Sequence, residues 1–405
     1  MSRPTIAAFL AGIIGVLTVL CPAGQVEAQN LTTAVDTAVD GPVHETLDAS
    51  ATLTGLDQAR LRHPNITGSG YTVAVIDTGI AADHPALTGR YVGGYDFVND
   101  DNDPTDDNGH GTHVTGTAVS SDADHPGMAP EAGYASLKVL DSEGSGTFSD
   151  IEKALQWVAD NRDAHNIVAV NMSFGTNDTY NTSVTSMISD ELATLESRGV
   201  FISAAAGNQW YDNQPDEGVS YPSADGSAVA VGSVWTDDFG GVAWNSGAED
   251  HSTAPDRVVS HSDRSTAMLD VLAPGTFITS TAHDWESGAD FVSMSGTSMA
   301  TPSVAGFAVL LREAIEENWD PADWPEDDQW QDTILGIMQD SAVMVYDGDD
   351  EDDNVTNLDE IITEEDDYKL YRIDVAAALD ATVPEPGCIA LLAMGSVVLM
   401  KRRRR

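Results

Sequence analysis

Residues 73–79 read Val73-Ala74-Val75-Ile76-Asp77-Thr78-Gly79. A short apolar run rich in β-branched residues suits a strand buried on both faces, and it stops at a carboxylate followed by a turn signal. The same grammar recurs at Ile167–Asn171, Val200–Ala206 and Ala228–Val234. Between some of these runs, Asp150–Asn161 and Ser183–Arg198 carry apolar residues at helical spacing. Buried strands alternating with amphipathic helices predict an α/β fold, a parallel sheet flanked by helices on both faces. Functional groups in such sheets gather at the carboxyl ends of the strands, and Asp77 and Asn208 both follow apolar runs directly. Further on, Asp347–Asp353 is an acidic run that reads as a solvated loop, and Gln331–Val345 and Tyr371–Ala381 read as the last helices of the same single domain.

A serine hydroxyl is a weak nucleophile until a histidine takes its proton and a carboxylate holds that imidazole. Three segments offer those parts. Asp77 stands just past a strand. His110, within Asn108-Gly109-His110-Gly111-Thr112-His113, stands at the start of a helix, with glycines allowing close approach. Ser298, within Ser295-Gly296-Thr297-Ser298-Met299-Ala300-Thr301-Pro302, starts another. Pro302 is expected in that helix's first turn, where its missing N–H costs little. A helix N-terminus also presents amides and partial positive charge to a developing oxyanion. Taken singly, an aspartate after a strand is a cap or turn residue, and a pair of histidines is structural. Together, in the order Asp, His, Ser, they are specific.

With DTGI at 77–80, HGTHVTGT at 110–117, NMSFG at 171–175, AAAGN at 204–208, YPS at 221–223, LDVLAPG at 269–275 and GTSMATP at 296–302, the chain resembles the subtilisin-like serine peptidase family from about Gly55 to Ala381. The resemblance implies a subtilisin-like fold and a secreted or cell-surface serine endopeptidase working through an acyl-enzyme on protein or peptide substrates. It implies Ser298 as nucleophile, His110 as general base and then acid, and Asp77 as the group that orients the imidazole. Asn208 matches a side-chain donor to the oxyanion, and His113 matches a buried second histidine outside the chemistry. Gly144-Ser145-Gly146 and Ser173-Phe174-Gly175 match two segments that flank the substrate, so a peptide would add between them as a strand. Ala206 and Gly207 belong to a small, apolar stretch beside them, which suggests a first specificity pocket for large apolar side chains; the acidic surface raises basic ones as the alternative. A catalytically silent binding protein on the same scaffold and an esterase using the same three residues are the competing readings.

Asp96 to Asn108 offers oxygen ligands at short, mostly alternating spacing, and calcium takes about six to eight oxygens in a flexible cage. The loop resembles one that precedes the catalytic histidine in thermostable relatives. That resemblance implies Asp96, Asn99, Asp101, Asp103 and Thr105 as ligands of a structural Ca2+; the other reading is a solvated acidic loop. Zinc is not expected, since the chain has no HExxH motif.

The chain has 405 residues, 41% of them hydrophobic, and a formal net charge of −48. Such a surface repels phosphate backbones and excludes a nucleic-acid role. It suits high ionic strength, where salt screens self-repulsion. Residues 1–28 carry Arg3, an apolar run from Ile6 to Cys21, and then Val26-Glu27-Ala28, as a secretory signal peptide does. Residues 29–56 read as a linker or short pro-segment, and 57–382 as the catalytic domain. The C-terminus runs Val383-Pro384-Glu385-Pro386, then the apolar Gly387 to Met400, then Lys401 and Arg402 to Arg405. This 383–405 tail resembles a PEP-CTERM sorting signal, which implies transient membrane association and processing by an exosortase-type enzyme; a plain C-terminal anchor is the alternative. Both cysteines, Cys21 and Cys388, fall in these removable ends. The mature protein is then expected to be a monomer without disulfides.

Overall fold

The computed structural model describes residues 31–33, 47–213, 216–345 and 370–384. The signal peptide expected at 1–28, the acidic run 347–353 and all but the first two residues of the 383–405 tail lie outside the described residues. No helix among the described residues is long and apolar enough to cross a membrane.

Nine strands form the main sheet. Their order is Val343–Val345, Leu370–Arg372, Val271–Pro274, Val229–Val234, Phe201–Ala205, Ile167–Met172, Thr72–Asp77, Gly133–Lys138 and Tyr91–Asp96. All neighbours run parallel except the edge strand Val343–Val345, which is antiparallel to Leu370–Arg372.

Alternation along each strand divides the core in two. Val73, Val75, Phe201, Val229 and Val231 face the helices His110–Val119, Thr297–Asn318, Trp330–Ser341 and Val375–Thr382. Ala74, Ile76, Leu137, Ile202 and Ala204 face Phe148–His165 and Ser189–Glu196. The predicted two-faced parallel sheet is therefore present. Thr297–Asn318 is buried from Thr297 through Ile315, so it is apolar on nearly every side and runs through the core rather than over it.

Several element boundaries differ from the sequence reading. The helix expected over 183–198 spans only Ser189–Glu196, because the Val184 N–H is tied to the Ala224 carbonyl at 3.0 Å. The helix expected over 331–345 ends at Ser341, and Val343–Val345 joins the sheet instead. In the 371–381 segment, Tyr371 and Arg372 belong to a strand, and the helix starts at Val375, where Asp374 accepts from the Ala377 N–H at 2.9 Å. Within the 29–56 segment, Leu31–Thr33 is a strand and Leu47–Leu53 a helix.

Candidate active site

Asp77 is the last residue of its strand. The chain leaves through Gly79 at φ 122°, where a Cβ would lie 2.7 Å from the Pro104 carbonyl oxygen, so only glycine passes. The His110–Val119 helix begins after Gly109, also at positive φ, where a Cβ would meet His283 Nδ1 at 2.5 Å. The N–H groups that open this helix would be orphaned without side-chain acceptors. Asn108 Oδ1 accepts from the His110 N–H (3.1 Å), and Thr78 Oγ1 accepts from the Gly111 N–H (2.8 Å). Asp106 accepts from the amides of Asn108, Gly109 and Thr112 and from the hydroxyls of Thr78 and Thr112, at 2.6–3.1 Å. Burial alone would raise its carboxyl pKa; the Thr112 hydroxyl and the three amides outweigh burial and hold it below the usual carboxylate range.

This mould presents the imidazole. His110 Nδ1 lies 2.7 Å from Asp77 Oδ1, and both side chains are buried. Nδ1 facing a carboxylate carries the proton, which leaves Nε2 as the basic nitrogen. Nε2 is buried without a hydrogen-bond partner. His113, one turn on, is fixed elsewhere: its Nε2 meets the carbonyls of Ile278 (2.9 Å) and Val292 (3.1 Å), and burial lowers its pKa to about 3.

Ser298 is the second residue of the Thr297–Asn318 helix. Its Oγ donates to the Ser173 carbonyl at 2.8 Å. Ser173 follows Met172, which is paired in parallel with Ile76, the residue before Asp77. Ser173 and Asp77 are therefore one strand spacing apart, about 4.8 Å. The helices that carry His110 and Ser298 also pack on each other. The serine hydroxyl thus rests on the Ser173 carbonyl and not on the imidazole. Asn208 Oδ1 accepts from both the amide and the hydroxyl of Thr297, each at 3.1 Å. That fixes the side chain with Nδ2 turned away, buried and without a partner.

The first-turn position expected for Pro302 is wrong: the helix starts at Thr297, so Pro302 is interior. A proline there withholds the N–H that would bond the carbonyl four residues back, that of Ser298. Ser173 Oγ donates to that carbonyl instead, at 2.9 Å. Ser173 therefore holds Ser298 twice, through its carbonyl and through its hydroxyl.

Of the segments expected to flank a substrate, Ser145–Gly146 and Phe174–Gly175 are short strands, and Gly144 and Ser173 adjoin them. A third strand, Leu31–Thr33, runs between the two, antiparallel to both. Leu31 faces Gly146, Thr32 faces Ser145 and Gly175, and Thr33 faces Phe174. Ala206 donates to the Val231 carbonyl at 2.9 Å, and Gly207 donates to Thr297 Oγ1 at 3.3 Å. A Cβ on Gly175 would meet Ser220 Oγ at 2.2 Å, and one on Gly207 would meet it at 3.1 Å. The space behind Gly175 thus ends at a hydroxyl, whereas behind Gly207 the nearest group is the buried Asp263 carboxylate, 2.2 Å from such a Cβ. The sequence reading missed Ser220, the double role of Ser173 and the part played by Asp106. The Leu31–Thr33 strand carries too few residues for any periodicity to show.

The five residues expected to bind calcium are tied to one another and to the backbone of their own loop. Asp96 is turned to the Asn99 N–H and Nδ2, both at 2.8 Å; Asp101 accepts from the Asp103 N–H at 2.9 Å; Asp103 accepts from the Thr105 hydroxyl at 2.6 Å. Among the described residues, no three His, Cys, Asp or Glu side chains are grouped to hold a metal. As arranged, Asp96, Asp101 and Asp103 accept from groups of their own loop.

Residues 68–361 match the model of the subtilase family. Serine protease AprX of Bacillus subtilis (strain 168) is 34% identical over 312 residues, which cover 69% of this chain and 66% of that protein. The thermophilic serine proteinase of Bacillus sp. (strain AK1) is 37% identical, over 62% of this chain and 57% of that one. The chain thus spans 57–66% of the length of these curated relatives. Among solved structures, the crystal structure of a cold adapted subtilisin-like serine proteinase matches with a TM-score of 0.52 at 29% identity, covering 76% of this chain and 89% of that chain. The parallel sheet, the order of Asp77, His110 and Ser298 along the chain and the matched span agree: the chain belongs to the subtilase family.

Proposed function

We propose that the chain is an exported serine endopeptidase that cuts peptide bonds through an acyl-enzyme on Ser298. One observation carries the reading: a buried imidazole bonded to a buried carboxylate through one nitrogen, its other nitrogen unpartnered, with the carboxylate's strand paired to the strand that leads into Ser173, where Ser298 is held. Ser298 Oγ leaves the Ser173 carbonyl and attacks the scissile carbonyl carbon as its proton passes to His110 Nε2. Asp77 stabilises the resulting imidazolium. The oxyanion takes hydrogen bonds from Asn208 Nδ2 and from the Ser298 N–H, an opening-turn amide with no partner inside its helix. His110 then protonates the leaving amine. Water attacks the ester by the same route, returning the proton to Ser298. The substrate backbone adds as a strand between Ser145–Gly146 and Phe174–Gly175.

The test is labelling by a fluorophosphonate together with hydrolysis of a peptide library, each compared with Ser298→Ala. A folded chain that neither labels nor cuts would favour the silent scaffold.

Calcium at Asp96, Asn99, Asp101, Asp103 and Thr105 is a separate proposal. It requires Asp101 and Asp103 to turn from the groups they now accept from. Its support is a Tm that rises with calcium chloride and no longer does so in Asp103→Ala; a Tm unmoved by both calcium and EDTA removes it. Export by residues 1–28, sorting through 383–405 by an exosortase-type enzyme and a monomeric mature form are proposed from the sequence alone. The masses of both termini of the cell-surface form test the processing, and its sedimentation tests the monomer.

A further inference from the structure

The loop that carries Asn208 is braced from behind by one buried acid. The Asp263 N–H donates to the Gly207 carbonyl at 2.9 Å, and Asp263 Oδ1 accepts from the Gln209 N–H at 3.1 Å. The two bonds bracket Asn208 on either side. Asp263 Oδ2 sits against Gly207, where the chain passes at φ 114° and a Cβ would lie 2.2 Å from that oxygen. The side chain is buried, and Oδ2 has no hydrogen-bond partner. Burial pushes this carboxyl well above the ordinary carboxylate range, with the Gln209 amide and the Arg264 charge opposing it. Neighbours of Asp263 fasten the next residue of the same loop. The Trp210 N–H donates to the His261 carbonyl at 3.3 Å, and the Arg264 guanidinium lies 4.6 Å from the centre of the Trp210 ring. A buried carboxyl with one oxygen unpaired is costly to keep, and such groups gather at functional sites.

We propose that Asp263 is a positioning residue for the reaction, fixing the Gly207–Gln209 backbone so that Asn208 Nδ2 points where the oxyanion forms. The inference rests on the peptidase reading. Thr297 orients the Asn208 side chain through its amide and hydroxyl, each at 3.1 Å, but a side chain is only as fixed as the backbone beneath it. The Asn208 N–H bonds Gln209 Oε1 at 3.1 Å, a neighbour in the same loop, and so gives no hold on the rest of the fold. Anchorage from outside the loop comes from Thr297 Oγ1, which accepts from the Gly207 N–H at 3.3 Å, and from Asp263 on both sides of Asn208. Any residue at 263 other than proline keeps the backbone bond to Gly207. The hold on Gln209 belongs to the Asp263 carboxyl. Without it the Gln209 amide loses its acceptor and the loop is free to shift. A donor misplaced by about 1 Å costs about 10²-fold in rate. The loss falls on kcat, because the charge that Asn208 meets develops in the transition state.

The experiment places Asp263→Asn and Asp263→Ala in the full chain, each alone and combined with Asn208→Leu. Tm confirms folding, and steady-state hydrolysis of a fluorogenic peptide gives kcat and KM. Asp263→Asn keeps an oxygen acceptor for the Gln209 amide and should stay near the wild-type kcat. Asp263→Ala strips it and should lower kcat by about 10- to 10²-fold with KM nearly constant. In the Asn208→Leu enzyme there is no donor left to aim, so Asp263→Ala should cost less than about 2-fold more. Where Asp263→Ala does not fold, Asp263→Ser, whose hydroxyl ends one bond short of Oδ1, carries the same comparison. A residue that only supports the fold would multiply its loss onto that of Asn208→Leu. That outcome overturns the inference, as does a rise in KM in place of the fall in kcat, or an Asp263→Asn enzyme as slow as Asp263→Ala. If the wild type hydrolyses peptides and Asp263→Ala matches it, this inference alone fails. If the wild type neither labels with a fluorophosphonate nor hydrolyses peptides, the peptidase reading fails and this falls with it.

Discussion

The helix that opens at His110 and the helix that opens at Thr297 both follow a glycine at positive φ, and neither is capped by its own N-cap side chain. At the first, the opening amides are taken up by Asn108, Thr78 and Asp106. At the second, Asn208 takes the Thr297 amide but leaves its own buried Nδ2 without a partner. One helix start is sealed by the protein, and what it gains is a fixed position for an imidazole. The other is left with donors to spare, which the protein can use only when something else supplies an acceptor. The same structural element is thus used once as a mould and, on the proposed function, once as a binding site. The two should respond differently to substitution, one in stability and the other in rate.

The largest effect is expected at the open end. Ser298→Ala should lower kcat by about 10⁶-fold with KM little changed, because the hydroxyl acts in the transition state and not in binding. Asn208→Leu should lower kcat by about 10²–10³-fold, again with KM nearly constant, as loss of one oxyanion donor does. Both are read from steady-state kinetics on a fluorogenic peptide. A rise in KM in place of the fall in kcat would mean that Asn208 binds the ground state, and the open end would not be a transition-state site.

At the sealed end, Asp106→Ala should act first on stability. It strips the acceptor from three amides and two hydroxyls, of which the Thr78 and Thr112 groups are buried. A loss of about 4 kcal/mol is expected, measured by urea unfolding. Activity should fall along with it, since the His110 helix loses its mould. An Asp106→Ala enzyme with normal stability and a specific loss of kcat would erase the distinction between the two ends.

The sheet was legible because buried parallel strands write themselves as continuous apolar runs: Val73–Ile76 and Ala228–Val234 needed no tertiary information. Asp77, His110, Ser298 and Asn208 could be singled out because their neighbours are motifs with glycines and small residues at fixed places. What was not legible depends on contacts between distant segments. Nothing around Ser173 announces that its hydroxyl replaces the hydrogen bond Pro302 withholds from Ser298. Asp106 reads as one acidic residue among many, and only the fold turns it inward under Thr112. In the Asp96–Thr105 loop the sequence shows alternating oxygens, but not that Asp96 and Asp101 accept from the loop's own amides. Leu31–Thr33 offers three residues of unremarkable composition, and its partners lie more than a hundred residues away.

The smallest effect sharpens the comparison from inside the sealed helix. His113 is buried there, and burial lowers its pKa to about 3; His261, in another part of the molecule, is buried and lowered to about 3 as well. In the unfolded chain both titrate near the ordinary value of about 6.5. Between about pH 6.5 and 3 the unfolded state therefore binds more protons than the folded state, and stability falls as pH falls through that window. From pH 7.5 to 5.5 each histidine should cost on the order of 1 kcal/mol. Replacing His113 with Gln removes its share of the proton uptake and should make the urea midpoint fall less steeply with pH in that range. Asp106, whose pKa is depressed, adds its own loss only at lower pH, as its carboxylate is protonated below the usual range. A slope unchanged in His113→Gln would place the acid sensitivity outside the sealed helix, and the mould around His110 would then be independent of the neighbour one turn away.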